Sequence, residues 1–278
     1  MAAATKIQSI TIDSETIINV ATTTPVASRQ EQPTLVFLHF WGGSSRTWSQ
    51  VIGPLSSQYP TVAIDFRGWG SSVGPSDPQA YSIKCLAKDV TAVIGHLGLS
   101  DFVLVGHSMG AKVAQAIAGG ASSKLTEGIR GMALIAPAPP SPFTLPEGMR
   151  EQQIHAYEHA ESAEFVAKNV LTASDIGESA VQALVQDMLR GNEWARAAWP
   201  AYAMAEDVCA PSKRSHVPCT VIAADEDVIE PVERIQKEVL PRFQNAALVV
   251  VKNSGHMIPI EAPMAIVEHI TQLLTSLR

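Results

Sequence analysis

Two apolar rhythms alternate along this chain. Short continuous runs stand at residues 34–38, 61–64, 101–105, 131–136, 219–224 and 246–251. The run at 34–38 predicts a strand covered on both faces, and the others read as further strands. Between them, apolar residues return every three or four positions. That spacing predicts helices over 44–59, 109–118, 231–240 and 263–277. A further helix opens at Ser82, whose hydroxyl can cap it, and places Ile83, Leu86, Val90, Val93, Ile94 and Leu97 on one face. At the start, 6–12 and 16–21 alternate enough for an antiparallel hairpin around Asp13-Ser14, and the polar stretch 22–33 reads as a loop. Strands alternating with helices predict an α/β fold with a mostly parallel, doubly wound sheet.

One stretch breaks the alternation. From Pro137 to about Pro218 no strand is evident. The stretch opens on Pro137-Ala-Pro-Pro-Ser-Pro142 and reads as short helices, with breaks near 174–177, Gly191-Asn192, Pro200 and Pro211. It is too long for an ordinary loop. The reading is a helical cap over 138–217, set into a core made of 1–137 and 218–278. A cap would sit over the carboxyl edge of the sheet, where such folds bind ligands. The alternative is an appendage with no substrate contact.

Composition narrows the choices. Of 278 residues, 46% are hydrophobic and 17% charged, which allows a large core. A net charge of −7 without a Lys/Arg cluster argues against a nucleic-acid partner or an anionic membrane surface. Nothing approaches a membrane-spanning apolar run, and the start lacks the apolar core of a signal peptide. Cys85, Cys209 and Cys219 show no metal spacing and read as reduced thiols of a cytoplasmic protein, with a Cys209–Cys219 disulfide as the lesser option.

The chemistry centres on Gly106-His107-Ser108-Met109-Gly110, which follows an apolar strand and opens a helix. A serine in so sharp a turn needs small neighbours two positions away on each side, and its hydroxyl stands clear of the sheet. A serine nucleophile needs a base, an orienting acid and an oxyanion site. His256, in Asn253-Ser-Gly-His256 directly after a strand, fits the base. The loop after the preceding strand offers Asp225, Glu226 and Asp227. Asp227 is chosen because it lies deeper in the loop, and Asp225 is held in reserve. The amides of Met109, at a helix start, and Trp41, in the small-residue loop after the third strand, are the oxyanion donors.

Other residues are weighed beside these. Trp69, Trp194, Trp199 and Tyr202 could line an apolar pocket, or some of them could pack the cap onto the core. His155 and His159 have metal-ligand spacing on a predicted helix, but a solvated face explains them better. His39 and His107 belong to backbone motifs. Residues 171–189 could make an amphipathic pair used in dimerisation or could pack on the core, so monomer and homodimer both stay open.

Together these residues resemble the α/β-hydrolase superfamily, in its cap-bearing esterase and lactonase-like branch, over roughly residues 15 to 277. The order Ser, acid, His is that family's order. His39-Phe40-Trp41 matches its His-Gly-x loop, with Phe40 where glycine is usual. Asp65-Phe-Arg-Gly-Trp-Gly-Ser71 resembles its D-x-R-G-x-G-x-S turn, where Asp65 and Arg67 would shape the fold. The resemblance implies a serine hydrolase that needs no cofactor and no metal. It would cleave a small apolar ester, lactone or thioester through an acyl-enzyme. Haloalkane dehalogenases and epoxide hydrolases carry aspartate where Ser108 stands, which disfavours those activities. The same triad could serve carbon–carbon hydrolysis, acyl transfer, perhydrolysis or cyanohydrin cleavage, and polar groups aimed into the pocket from the cap would favour the lyase-like options. A ligand receptor that retains the triad is the alternative from another class.

Overall fold

A computed structural model describes residues 4–25, 32–120, 127–208 and 216–277. Eight strands form one sheet in the order β1-β2-β4-β3-β5-β6-β7-β8. The strands are β1 (Thr5–Thr11), β2 (Ile17–Thr23), β3 (Thr34–Leu38), β4 (Thr61–Ile64), β5 (Phe102–His107), β6 (Ile129–Ile135), β7 (Cys219–Ala224) and β8 (Ala246–Val251). The β1–β2 hairpin joins β4 antiparallel, and every later pairing is parallel.

The continuous apolar runs are the central strands, and β3 to β7 are buried almost throughout. Helices cover both faces. On one face α1 (Ser49–Leu55) and α9 (Pro263–Ser276) bury Val51, Leu55, Ile266 and Ile270 against Phe37, Val105 and Ile135. On the other, α2 (Ile83–His96), α3 (Met109–Gly119) and α8 (Val232–Glu238) pack on Val36, Leu104 and Leu134. Ser82 caps α2 by accepting from the amide of Cys85 at 3.1 Å.

The described part of the segment between β6 and β7 contains helices and no strand. It comprises α4 (Glu147–Ile154), α5 (Ala160–Val166) continued by a π turn, α6 (Glu178–Arg190), α7 (Glu193–Ala201) and a 3₁₀ turn at Ala203–Ala205. Its breaks fall at Thr172–Gly177 and Gly191–Asn192. α7 also ends close to Pro200, which sits in its last turn, and the proposed break at Pro211 lies outside the described residues. The apolar face of α6 (Val181, Leu184, Met188) is buried within the chain, so that stripe is spent on internal packing.

Three buried carboxylates hold the parts together. Arg67 grips Asp89 with two bonds of 2.6 Å and adds the carbonyl of Ala80, joining the turn after β4 to α2. Asp65 accepts from the amides of Ser45 (2.6 Å) and Ser71 (2.9 Å), and from Asn19 on β2. Asp187 of α6 takes the Ser44 hydroxyl at 2.8 Å and an ion pair from Arg46 at 2.8 Å. The inserted helices are thus fastened to the loop after β3. Cys219 is a free buried thiol, and Cys209 lies outside the described residues. Among the described residues no helix is long and apolar enough to cross a membrane.

Candidate active site

Ser108 stands between β5 and α3 with φ 53° and ψ −114°, a left-handed backbone for a residue with a side chain. Such strain costs of order 1–3 kcal/mol and persists only where the surroundings over-determine it. They do so here. A Cβ on Gly106 would lie 2.6 Å from the carbonyl oxygen of Gly110, and one on Gly110 would strike the carbonyl of Leu38. Both glycines are needed for α3 to approach the sheet so closely.

His256 follows β8, and Asp227 follows β7. Neighbouring parallel strands therefore bring the two loops together. The Nδ1 of His256 lies 2.8 Å from Oδ2 of Asp227, and both side chains are buried. The other oxygen of Asp227 accepts from the amides of Ile229 (2.8 Å) and Glu230 (3.0 Å). Burial alone would raise the Asp227 carboxyl, but the charge and hydrogen bond of His256, with these amides, hold it below its ordinary value. A carboxylate only accepts, so the imidazole proton lies on Nδ1 and the Nε2 lone pair is free. Burial alone would lower His256, yet Asp227, then Glu230 and Glu261, raise it above the ordinary imidazole value. Asp225 is placed elsewhere: it binds the amide of Asn253 at 2.8 Å and the ammonium of Lys252 at 3.3 Å.

Two further histidines set the backbone around this group. His107 uses Nε2 to donate to the carbonyl of His256 at 2.8 Å, its ring 5.0 Å from that of His256. Burial holds His107 well below the usual imidazole value, so it stays neutral. His39 donates from Nδ1 to the carbonyl of Phe40 at 2.6 Å and accepts the amide of Phe66 at 3.0 Å. The Gly43 amide also binds the Phe40 carbonyl, at 3.0 Å. With that carbonyl fixed, the trans peptide turns the Trp41 amide the opposite way. Among the described residues no acceptor takes the amide of Trp41 or of Met109. Phe40, where glycine might be expected, adopts an ordinary backbone; the left-handed position is Gly42, at φ 99°.

A cavity of about 1180 Å³ opens beside these residues, and Ser108, His256, Phe40 and Trp41 line it. The inserted helices supply most of its apolar wall, including Leu145, Tyr157, Val166, Leu171, Trp199 and Met204. Met149, Phe165 and Val228 line it while exposed to solvent and so mark its mouth. Of the four aromatics expected in a pocket, only Trp199 lines this one. Trp69 is buried edge-on to His39, where Gly191 makes room for it. Trp194 is partly buried against the hydrophobic core, and the Tyr202 hydroxyl accepts the amide of Tyr81 at 3.1 Å. Sequence spacing alone cannot separate an aromatic that packs in the core from one that faces open space. His155 and His159 do not share a helix face either: α4 ends at Ile154, His155 pairs with Glu158 at 2.9 Å, and His159 precedes α5.

Tyr157, Lys112, Glu230 and Arg234 line the cavity without having been singled out from sequence. Tyr157 stacks on Trp41 at 4.1 Å and donates to its carbonyl at 3.2 Å. The Trp41 indole in turn donates to the carbonyl of Arg196 at 3.0 Å, so the insertion grips this loop from two sides. A signal for Lys112 existed. It and Gln115 are the only long polar residues in the apolar stretch of α3, and a helix apolar all round is buried all round.

The sequence profile of the Alpha/beta hydrolase family matches residues 35–269. The chain belongs to the α/β hydrolase family. Among curated relatives, Epoxide hydrolase 4 of Mus musculus is 33% identical over 92 residues, covering 33% of this α/β hydrolase and 26% of that protein. The match thus spans only about a quarter of that relative's length. A putative esterase/lipase of Haemophilus influenzae is 26% identical over 254 residues, or 87% of this chain and 83% of that one. Among solved structures, the enol-lactonase from Burkholderia xenovorans superposes with a TM-score of 0.82 at 20% identity, over 96% of this chain and 100% of the other. At that identity the superposition speaks for the fold.

Proposed function

We propose that this α/β hydrolase is a serine hydrolase of carboxylic esters, lactones or thioesters. In this reading Ser108 attacks the carbonyl carbon while Nε2 of His256 takes its proton. The amides of Trp41 and Met109 hold the tetrahedral oxyanion. His256 then returns the proton to the leaving alcohol or thiol, and an acyl-Ser108 ester remains. Water gives a proton to His256, attacks that ester and releases the acid. Asp227 orients the ring and stabilises the imidazolium. The helical insertion acts as the cap that shapes the acyl pocket.

The observation that carries the reading is one arrangement. A strained serine and an imidazole share a cavity wall, and the imidazole's far nitrogen lies 2.8 Å from a buried, amide-held carboxylate. Epoxide hydrolysis fits poorly, despite the epoxide hydrolases among the relatives. Serine opening an epoxide would give an ether, which has no carbonyl for water to attack, so turnover would stop after one event.

Turnover of p-nitrophenyl esters of increasing chain length tests the proposal. Multiple turnovers are expected, reduced by about 10⁴-fold or more in Ser108→Ala. A single burst with the acyl group retained would instead favour the receptor reading.

A further inference from the structure

One part of the cavity wall is charged, and acyl transfer does not use it. Lys112 is 1% exposed and lies one helical turn after Ser108, about 6 Å along the axis. Its ammonium donates to the carbonyls of Ser141 (3.2 Å) and Met204 (2.7 Å). An ammonium has three hydrogens, so one donor is left over. Arg234 of α8 stands over the ring of Phe143 at 4.0 Å, with Nη1 3.1 Å from Oε2 of Glu230 and Nε 3.7 Å from Glu238. The contact with Glu230 is close but not aligned as a hydrogen bond. Among the described residues, Glu230 Oε2 and Arg234 Nη2 are both buried without a hydrogen-bond partner. Lys112, Glu230 and Arg234 all line the cavity and feel one another electrostatically.

The balance of charge favours an anion. Burial pushes the Glu230 carboxyl up to about 8, against the pull of Arg234, so near neutrality it is mostly a neutral O–H that can donate. Burial brings Lys112 down to about 8, which leaves it mostly protonated there. This part of the wall then presents two cations and a neutral acid, with donors to spare on each cation; Glu151 lines the cavity as well, Glu238 pairs with Arg234, and the charge of Glu206 acts on Lys112.

We propose that Lys112, Arg234 and Glu230 form a subsite for a carboxylate carried by the substrate a few carbons from the scissile carbonyl. The inference rests on the serine hydrolase reading of the same cavity. A carboxylate has two oxygens for these donors, and its methylenes would lie along the apolar wall. An uncharged chain would leave the buried donors unpaired, and such a mismatch gives strong discrimination.

The test compares p-nitrophenyl half-esters of adipic, pimelic and suberic acids with p-nitrophenyl hexanoate, heptanoate and octanoate. At the best length, kcat/KM for the half-ester should exceed that of its neutral partner more than tenfold. Lys112→Met and Arg234→Gln should each reduce that ratio at least tenfold, whereas a purely structural role would lower both rates together and leave the ratio unchanged. Should Lys112→Met not fold, Lys112→Arg and Arg234→Gln carry the comparison. Calorimetry on Ser108→Ala protein gives an arm independent of catalysis, with monomethyl adipate expected to bind at least tenfold tighter than methyl hexanoate, which carries no carboxylate. Selective binding of monomethyl adipate in a protein that hydrolyses no ester would overturn the hydrolase reading and keep the subsite. Ratios near one at every length, with equal binding of these two esters, would overturn the subsite.

Discussion

The two walls of the cavity are built by different rules. The core wall comes from the carboxyl ends of β3, β5, β7 and β8 and supplies the polar atoms: Ser108, His256 with Asp227 behind it, and the loop holding Trp41. The inserted wall comes from short helices and supplies mostly apolar surface, with Tyr157 reaching across to Trp41. In the proposed reading the difference teaches that the strand ends hold the reacting groups, while the insertion shapes the apolar part of the pocket and the core adds its charged end through Lys112, Glu230 and Arg234. Parallel strand ends hold their loops rigidly because each is hydrogen-bonded to a buried neighbour. The helices are tied on mainly through side chains, among them Asp187 with Ser44 and Arg46, Tyr157 with Trp41, Tyr202 with the Tyr81 amide and Glu261 with the amides of Ala173 and Ser174.

The comparison can be broken at its strongest point first. Asp227→Asn should cut kcat by about 10³- to 10⁴-fold, since an amide favours the wrong tautomer of His256. The pH profile should move as well. His256 must be neutral to act as base, and Asp227 raises it, so the wild-type kcat/KM should rise with pH through a midpoint above 6.5. Without the Asp227 charge, burial prevails and that limb should shift to lower pH.

Next in size is Gly110→Ala. Its Cβ would meet the carbonyl of Leu38, and forced overpacking of this kind costs about 1–3 kcal/mol. Denaturant unfolding would measure the loss. A variant as stable as wild type would show that the elbow is less tightly fitted than described.

Tyr157→Phe probes the other wall. It keeps the stacking on Trp41 but leaves the buried Trp41 carbonyl short of a donor, for about 1 kcal/mol of stability. It should lower kcat several-fold through the loop while leaving the pH profile in place. The smallest effect belongs to Asp225→Asn, about twofold at most in kcat/KM, because that carboxylate faces Lys252 and the Asn253 amide. A large loss there would move the orienting acid to Asp225.

The two walls also differed in how far they could be read from sequence. β3, β4 and β7 end where the apolar runs end, because a strand buried on both faces cannot continue into polar residues; β8 ends with its run too, although as the edge strand it is only partly buried. Ser108, Asp227 and His256 could be named because each stands just after such a run. In the insertion the local signals were weaker. Pro200 reads as a break, and α7 runs only one residue past it; the proline gives no N–H to the Arg196 carbonyl, which accepts the Trp41 indole instead. Trp69 and Tyr202 read as pocket residues, yet tertiary packing turned one toward His39 and bonded the other to Tyr81. Lys112 on α3 and the i,i+4 pair Glu230–Arg234 at the start of α8 are neighbours only through the fold.

The most direct test of the central claim is labelling with a fluorophosphonate, read by intact mass and peptide mapping. The account predicts one adduct, on Ser108, absent in Ser108→Ala and formed far more slowly in His256→Ala. A folded wild-type protein that takes no adduct, or takes it on another residue, would contradict the claim that Ser108 is a nucleophile activated by His256.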